Sequence, residues 1–436
     1  MEPEGLEVAA SGSPAPVVSG RRRRSRWRWV AWSGLALVVA GVIVALVLAW
    51  QERMLRAARR ELEQGDPRRA LALVSYFLDA HPDHGEARAL KARALSQTGR
   101  AADAVALYEQ VGAATVEDVH AWARAYLRME SWSRALPLLA QVLRMEPDNA
   151  DALHEITGCR TRLGLLQEAA DSARQLSELP GQEARGLVLL AAIQSDLGRA
   201  GDAAQTYQRV LELAPDGQGL QIPPEELFTQ YGIVLLSQGR AEAAVSMFEK
   251  SLAARPTPET YYYLGNAHAQ AANTEAAERA WKKSLELDPA GVPVHEALAD
   301  SAIQKGDLKA ASEWLAPLER IAQSRYKTAY LFQRLAMKRN DEAEVQRWRK
   351  KADELRQGEQ HRQRVTEIMR LLPHSFWANV ARAHQFASQG NWQQAGDMIE
   401  ELAREAPQDS FVQDLAAAIR KRGPLPPLER LPIKSF

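Results

Sequence analysis

The chain of 436 residues holds a single cysteine, Cys159. One thiol excludes an internal disulfide and any thiolate cluster for zinc or iron–sulfur, whatever compartment the chain occupies. Neither sign of charge is in excess either, since Lys+Arg and Asp+Glu both number 55. No global field therefore draws the chain to nucleic acid or to an acidic substrate, and any electrostatic function is local. There is no glycine loop fit to cradle a phosphate, no nucleophile elbow and no HExxH. His81-Pro-Asp-His84 brings two histidines close, but at a helix-ending proline with no third ligand in view, which reads as a turn. No enzyme activity, cofactor or metal is expected. Cys159 follows Gly158 in an apolar, helix-like stretch and reads as a small buried hydrophobe.

One long apolar run is present. Residues 30–49, VAWSGLALVVAGVIVALVLA, carry no charge and have the length, about 20 residues, that a helix needs to cross a bilayer core. Trp27, Trp29 and Trp32 stand at one end and Trp50 at the other, where amphipathic rings favour the interface. A signal peptide cut after Ala49 is the rival reading, but the run exceeds the usual h-region of about 7 to 15 residues. The expectation is a disordered basic tail over 1–26 and a single transmembrane helix over 27–50. Arg21 to Arg24, Arg26 and Arg28 precede the run more densely than Arg53, Arg56, Arg59 and Arg60 follow it. That places the N-terminus in the cytoplasm and the rest of the chain on the extracytoplasmic side. Gly41, Ala45 and Ala49 form a small-residue stripe that would let two spans pair as a homodimer. From Val42 to Gln64 there is neither Pro nor Gly, and Met54, Leu55, Ala58 and Leu62 recur at helical spacing, so one helix is expected to continue from the span to Gln64.

Beyond Gln64 the chain repeats itself. GRAADAVALYEQV begins at Gly99, GRAGDAAQTYQRV at Gly198 and GRAEAAVSMFEKS at Gly239. A turn residue followed five places later by Ala occurs at Gly65, Gly99, Glu130, Gly164, Gly198, Gly239, Ala272, Gly306 and Gly390, at intervals of 34, 31, 34, 34, 41, 33, 34 and 84. Pro stands seventeen places after six of these turns, at Pro82, Pro147, Pro215, Pro256, Pro289 and Pro407. A period near 34 with this punctuation marks an array of helix-turn-helix pairs. The turn residue needs a left-handed backbone, Ala lets the second helix approach the first, and Pro ends the second helix. Nine places after the turn, Tyr108, Tyr207, Phe248, Trp281, Leu315 and Ile399 fill the space between neighbouring pairs. One pair cannot bury such a face alone, so the pairs must stack.

These features resemble the tetratricopeptide repeat family, and residues 262–289, YYLGNAHAQAANTEAAERAWKKSLELDP, match best through Leu264, Gly265, Ala277, Trp281 and Pro289. The resemblance implies an all-α solenoid of helical hairpins wound as a right-handed superhelix. It covers most of a solenoid over 51–323 and returns in a C-terminal repeat with a capping helix over 376–422. Between them, residues 324–375 form a degenerate repeat and a charged helical segment, where Val345 and Arg349 stand in place of Ala and a bulky apolar residue. Its charges read as a solvated helix face. GQGLQIPP, 217–224, reads as a loop between repeats, and 423–436 as a Pro-rich tail.

The resemblance further implies binding of protein or peptide partners on a concave face lined by the first helix of each pair. Early in the array that face carries Arg93, Arg124, Arg128 and Arg162, which would take an acidic or carboxylate-bearing segment as fork-shaped guanidiniums do. Glu117, Asp151 and Glu155 stand nearby as competing partners. Later it carries Tyr262, Tyr263 and Asn266, then Glu296 and Asp300. Two functions fit: a membrane-anchored scaffold that recruits partners, or a regulatory adaptor of envelope (lipopolysaccharide or polysaccharide) assembly, whose known members also join an anchor to such repeats. An enzyme with an unrecognised site is the third and weakest.

Overall fold

The computed structural model describes residues 49–432 together with Trp32, Val39, Gly41, Val42 and Ala45. Among the described residues every regular element is helical. The helices are α1 (49–63), α2 (Pro67–Ala80), α3 (Gly85–Gln97), α4 (Ala101–Val111), α5 (Val116–Arg128), α6 (Trp132–Met145) and α7 (Ala150–Arg162). Next come α8 (Leu166–Glu178), α9 (Glu183–Asp196), α10 (Ala200–Leu213), α11 (Pro224–Ser237), α12 (Ala241–Ala254), α13 (Pro258–Gln270) and α14 (Thr274–Leu287). The last are α15 (Val292–Lys305), α16 (Leu308–Leu315), α17 (Tyr326–Arg339), α18 (Glu342–Leu371), α19 (Phe376–Ser388), α20 (Trp392–Glu405) and α21 (Ser410–Lys421). Two compact units result, Met1–Ala94 and Leu95–Phe436, with the division inside α3.

The hairpins form for the steric reasons read from the sequence. Each turn has a left-handed backbone, at φ 70° to 85° for the glycines and also, against their Cβ, at Glu130 (55°) and Ala272 (59°). The alanines five places on, Ala70, Ala104, Ala135, Ala169, Ala203, Ala244, Ala277, Ala311 and Ala395, are all 0% exposed. A larger side chain there would force the paired helices apart. Tyr108, Tyr207, Phe248 and Trp281 lie buried between hairpins, where truncating a buried aromatic ring to Ala costs about 3–5 kcal/mol.

In the first unit Leu55, Ala58, Leu62, Ala70, Val74, Phe77, Ala87 and Leu90 share one core. His81 and His84 flank Phe77 at centroid distances of 4.9 and 5.2 Å. The Nδ1 of His84 accepts the backbone N–H of Ala87 at 3.2 Å, so that residue opens α3 as a cap. Among the described residues there is no group of three or more His, Cys, Asp or Glu that could hold a metal ion.

In the second unit the array departs from its period after Asn340. This residue, 34 after Gly306, is a further left-handed turn (φ 58°), and α18 then runs for 30 residues instead of the usual 14, about 45 Å at 1.5 Å per residue. The bulky position has moved by one, from exposed Arg349 to buried Trp348, which stacks on Phe332 at 4.6 Å. Charges of α18 pair along the helix, Arg347 with Glu344, Arg356 with Asp353 and Arg370 with Glu367. The loop over 217–224 sends Leu220 and Ile222 into the neighbouring core.

The extra length of α18 brings the C-terminal hairpin, α19 and α20, back against the turn edge of much earlier repeats. The Arg134 Nη2 donates to Asp397 Oδ1 at 2.7 Å, His374 Nε2 lies 2.6 Å from Glu168 Oε1, and Arg370 Nη1 donates to the Leu197 carbonyl at 3.5 Å. Arg382, 4% exposed, lies against the Gly164 turn, and burial pushes its guanidinium down to about 10. The Pro-rich tail is strapped down in turn. His384 and His361 contact the Pro426 and Leu428 carbonyls at 2.9 and 3.1 Å, and Leu431 is 2% exposed.

The membrane expectation is corrected. A crossing needs a continuous apolar helix of about 20 residues. Among the described residues no helix is long and apolar enough to cross a membrane. The run over 30–49 lies outside them apart from Trp32, Val39, Gly41, Val42, Ala45 and Ala49. The single-pass localisation, its orientation and the homodimer through the span are withdrawn with it. The tail over 1–26 also lies outside the described residues.

Candidate partner-binding surface

Three parallel first helices, α5, α7 and α9, carry the early part of the expected groove. Arg124 on α5 is already engaged: its Nε donates to Glu155 Oε1 at 2.6 Å and its Nη2 to Asp151 Oδ2 at 3.2 Å, both on α7. Arg185 on α9 reaches the other oxygen of Asp151 at 3.4 Å, and His120 Nε2 lies 2.7 Å from Glu155 Oε2. Asp151 feels a burial penalty, yet Arg124 and Arg185 outweigh it and hold its carboxyl below the usual range. Burial, helped by Arg185, keeps the enclosed His154 below its ordinary value. Two arginines are thus balanced by two carboxylates, which ties three repeats together and leaves little net field.

The other sequence-named arginines do not converge on this network. Arg128, exposed, sits at the end of α5 and lines a cavity with residues of α20. Arg162 is exposed with its guanidinium 5.9 Å from the Trp132 ring centre. Arg93 belongs to the first unit and is not free.

Further along, Tyr262 and Tyr263 on α13 are half-buried, 5.2 Å apart. Tyr263 stacks on Phe248 at 6.0 Å, and burial raises its phenol above the ordinary value. The side-chain oxygen of Asn266 accepts the Trp281 indole N–H at 3.2 Å. Glu296, read as part of an acidic groove, is instead 0% exposed. It accepts from Arg325 through both oxygens at 2.7 and 3.2 Å and from Thr328, joining α15 to the start of α17. Asp300 pairs with Arg334. Those acids hold successive repeats together.

Between α11 and α13 the surface stays open. A cavity of about 370 Å³ is lined by Glu225, Glu226, Thr229, Gln230 and Ile233 of α11, by Glu259 and Thr260 of α13 and by Arg255 between the helices. Thr229 and Ile233 stand ten and six places before the Gly239 turn, as Tyr262 and Asn266 do before Ala272, so both helices present equivalent positions. A chain of hydroxyls supports the cavity: Thr229 Oγ1 lies 2.8 Å from Ser251 Oγ and 3.0 Å from Thr260 Oγ1, and Ser251 Oγ donates to the Glu225 carbonyl at 2.8 Å. Tyr330, 42% exposed, occupies the same register on α17, ten before Asn340. Sequence reasoning did not name it because Val345 and Arg349, in place of Ala and a bulky apolar residue, made this repeat read as degenerate.

Family models described as tetratricopeptide repeat match residues 61–128, 120–183 with 231–281, and 184–216. A comparison with curated proteins returns no match. Among solved structures, MamA from residue 41 of Desulfovibrio magneticus RS-1 is 24% identical, covering 41% of this chain and 97% of its own, with a TM-score of 0.37. YrrB, described as a TPR protein with an unusual peptide-binding site, is 18% identical over 45% of this chain and 96% of its own, TM-score 0.37. Pseudomonas aeruginosa pilF is 19% identical over 52% and 94%, TM-score 0.39.

Proposed function

Since residues 61–128, 120–183, 184–216 and 231–281 are tetratricopeptide repeats, we propose that the chain is a protein-interaction scaffold whose repeat array holds an extended segment of a partner polypeptide. The observation that supports a place for it is the open cavity between α11 and α13, continuous in register with Tyr262 and Tyr263. Elsewhere along the first helices Arg124, Asp151, Glu155, Glu296 and Asp300 are engaged in bonds between repeats. The lining selects its partner. Glu226 and Glu259 favour a basic side chain, while Ile233 and the tyrosine rings take apolar surface. An acidic segment on Arg124, Arg128 and Arg162 is the second reading, favoured by the exposure of the last two; it must displace Asp151 and Glu155 from Arg124. The envelope-assembly adaptor leaned on the membrane anchor and loses its support with it.

Peptides selected from a random display library against the full chain separate these surfaces. Binding at α11–α13 yields a consensus with Lys or Arg beside apolar residues, and Glu226→Lys with Glu259→Lys weakens it by about tenfold or more, the worth of charge-assisted bonds. A consensus rich in Asp and Glu that is lost in Arg124→Glu with Arg128→Glu moves the site to the arginines.

A further inference from the structure

We propose that α18, α19 and α21 build a second peptide-binding site, which residues 424–431 occupy as a displaceable ligand in cis and which a proline-rich segment of a partner protein enters by displacing them. The site is separate from the α11–α13 surface and does not rest on it. The occupying segment, PLPPLERL, follows the end of α21 and crosses α19 to reach the second half of α18.

The array holds this segment by its main chain. His384 Nε2 lies 2.9 Å from the Pro426 carbonyl, and His361 Nε2 lies 3.1 Å from that of Leu428. A carbonyl only accepts, so both rings donate. His384 stands six places before the Gly390 turn, the position that Ile233 and Asn266 hold before theirs. The segment therefore uses a first-helix position, as a partner peptide would. Charges match along it as well: Arg362 Nη1 donates to Glu429 Oε1 at 3.0 Å and Arg430 Nη2 to Asp414 Oδ2 at 2.9 Å. Gly358 costs α18 helix propensity in its interior, but an added Cβ there would lie 3.3 Å from Glu429 Oε1, so the glycine leaves room for the segment.

The segment is bound lightly. Within it only Pro426 and Leu431 are buried, and both ion pairs are exposed. Its one regular element is the single 3₁₀ turn Leu428–Arg430. So few buried contacts make an opening less costly than that of the helices beneath. Pro427 (φ −62°, ψ 135°) and Leu431 (φ −62°, ψ 123°) are near the polyproline II conformation, the low-entropy shape in which proline-rich ligands are recognised. The contacts set the chemistry of the partner segment: a proline, a leucine five places on, and an acid and a base between them. Because the tail begins so close to α21, its local concentration is on the order of millimolar. An identical tail on a second copy cannot compete with that, whereas a better-matched partner segment can.

Fluorescence anisotropy of a labelled peptide of residues 423–432, titrated with the full chain, tests the proposal. The parent chain should bind it weakly. Leu431→Asp in the full chain removes the buried anchor of the cis segment and should bind the peptide about tenfold tighter or more, the worth of burying a leucine side chain. Adding His361→Ala and His384→Ala to that chain should weaken binding by about tenfold or more, for two lost hydrogen bonds. A peptide that itself carries Leu431→Asp should not bind. Amide exchange of the parent chain needs no variant and decides the matter even where Leu431→Asp disturbs folding: the amides of residues 428–431 should exchange through an opening that leaves α19 and α21 protected. A tail that is only a structural cap behaves otherwise. Its amides exchange only together with α19 and α21, and a Leu431→Asp chain of parental helicity takes up no peptide. Either result would overturn the proposal, as would equal affinity of the parent and Leu431→Asp chains, binding untouched by the histidine changes, or a tail-exchanged dimer of the parent.

Discussion

Replacing Gly186 by Ala should destabilise the array, although the same change at Gly158 should stabilise it. Both glycines lie inside helices, α9 and α7, and on propensity alone each change gains about 0.8–1 kcal/mol. At Gly158, exposed on its helix, an added Cβ meets nothing within 4 Å, so that gain is realised. At Gly186 it would lie 2.3 Å from Ser177 N, 2.6 Å from Ser177 Cα and 2.7 Å from the Ala173 carbonyl oxygen, all on α8. Carbon atoms pack at roughly 3.5–4.0 Å, and backbone cannot swing aside as a side chain can. The two helices must part by about 1 Å, which forfeits a quarter to a half of the dispersion energy across their contact. Overpacking of this kind costs about 1–3 kcal/mol. With backbone as the obstacle the upper value applies, and the net change is a loss of about 2 kcal/mol after the propensity gain. Urea midpoints of the two variants should therefore move in opposite directions. Since a repeat array can open in parts, amide exchange should show the loss centred on α8 and α9. A Gly186→Ala midpoint that rises with that of Gly158→Ala would refute the close-approach argument for the whole array.

Three further outcomes rest on local chemistry. Ala272→Gly relieves a left-handed alanine (φ 59°) and should stabilise by about 1 kcal/mol, read as a higher urea midpoint. Cys159 is 1% exposed, its thiol donates to the Trp132 carbonyl at 3.0 Å, and burial pushes it up to about 12; an aromatic disulfide reagent should label it only as fast as α7 opens, and stoichiometric labelling of the native chain within seconds would contradict this. His154 is held below its ordinary 6.5, so the unfolded chain takes up its proton first and stability falls as pH drops below 6.5. Asp151 adds a second loss below 3.8 as its carboxylate protonates. In His154→Leu the first step should vanish and the second remain.

The hairpins were legible because their requirements are local and steric. A left-handed turn, a 0%-exposed alanine such as Ala203 and a buried ring such as Tyr207 recur at fixed spacing, and spacing is what one sequence displays. Even the non-glycine turns at Glu130 and Ala272 emerge from counting. The return of the C-terminal hairpin was not legible, since Arg134 and Asp397 stand 263 residues apart and no periodicity links them. The pairing inside the arginine groove was hidden for a related reason. Arg124 and Glu155 were both read, but only the stacking of α5 on α7 decides that they bond to each other. Glu296 was taken for open groove because burial by the following repeat, through Arg325 and Thr328, leaves no mark in its own repeat.

The most direct test of a scaffold that binds through its first helices is site-specific photo-crosslinking in the native source. A benzophenone amino acid is placed at Ile233, in the α11–α13 cavity, and in a second protein at exposed Glu249 on α12. Binding along the first helices predicts a discrete crosslinked polypeptide from Ile233, joined through one short segment, and none from Glu249. Equal crosslinking from both positions, or a product from Glu249 alone, would contradict it.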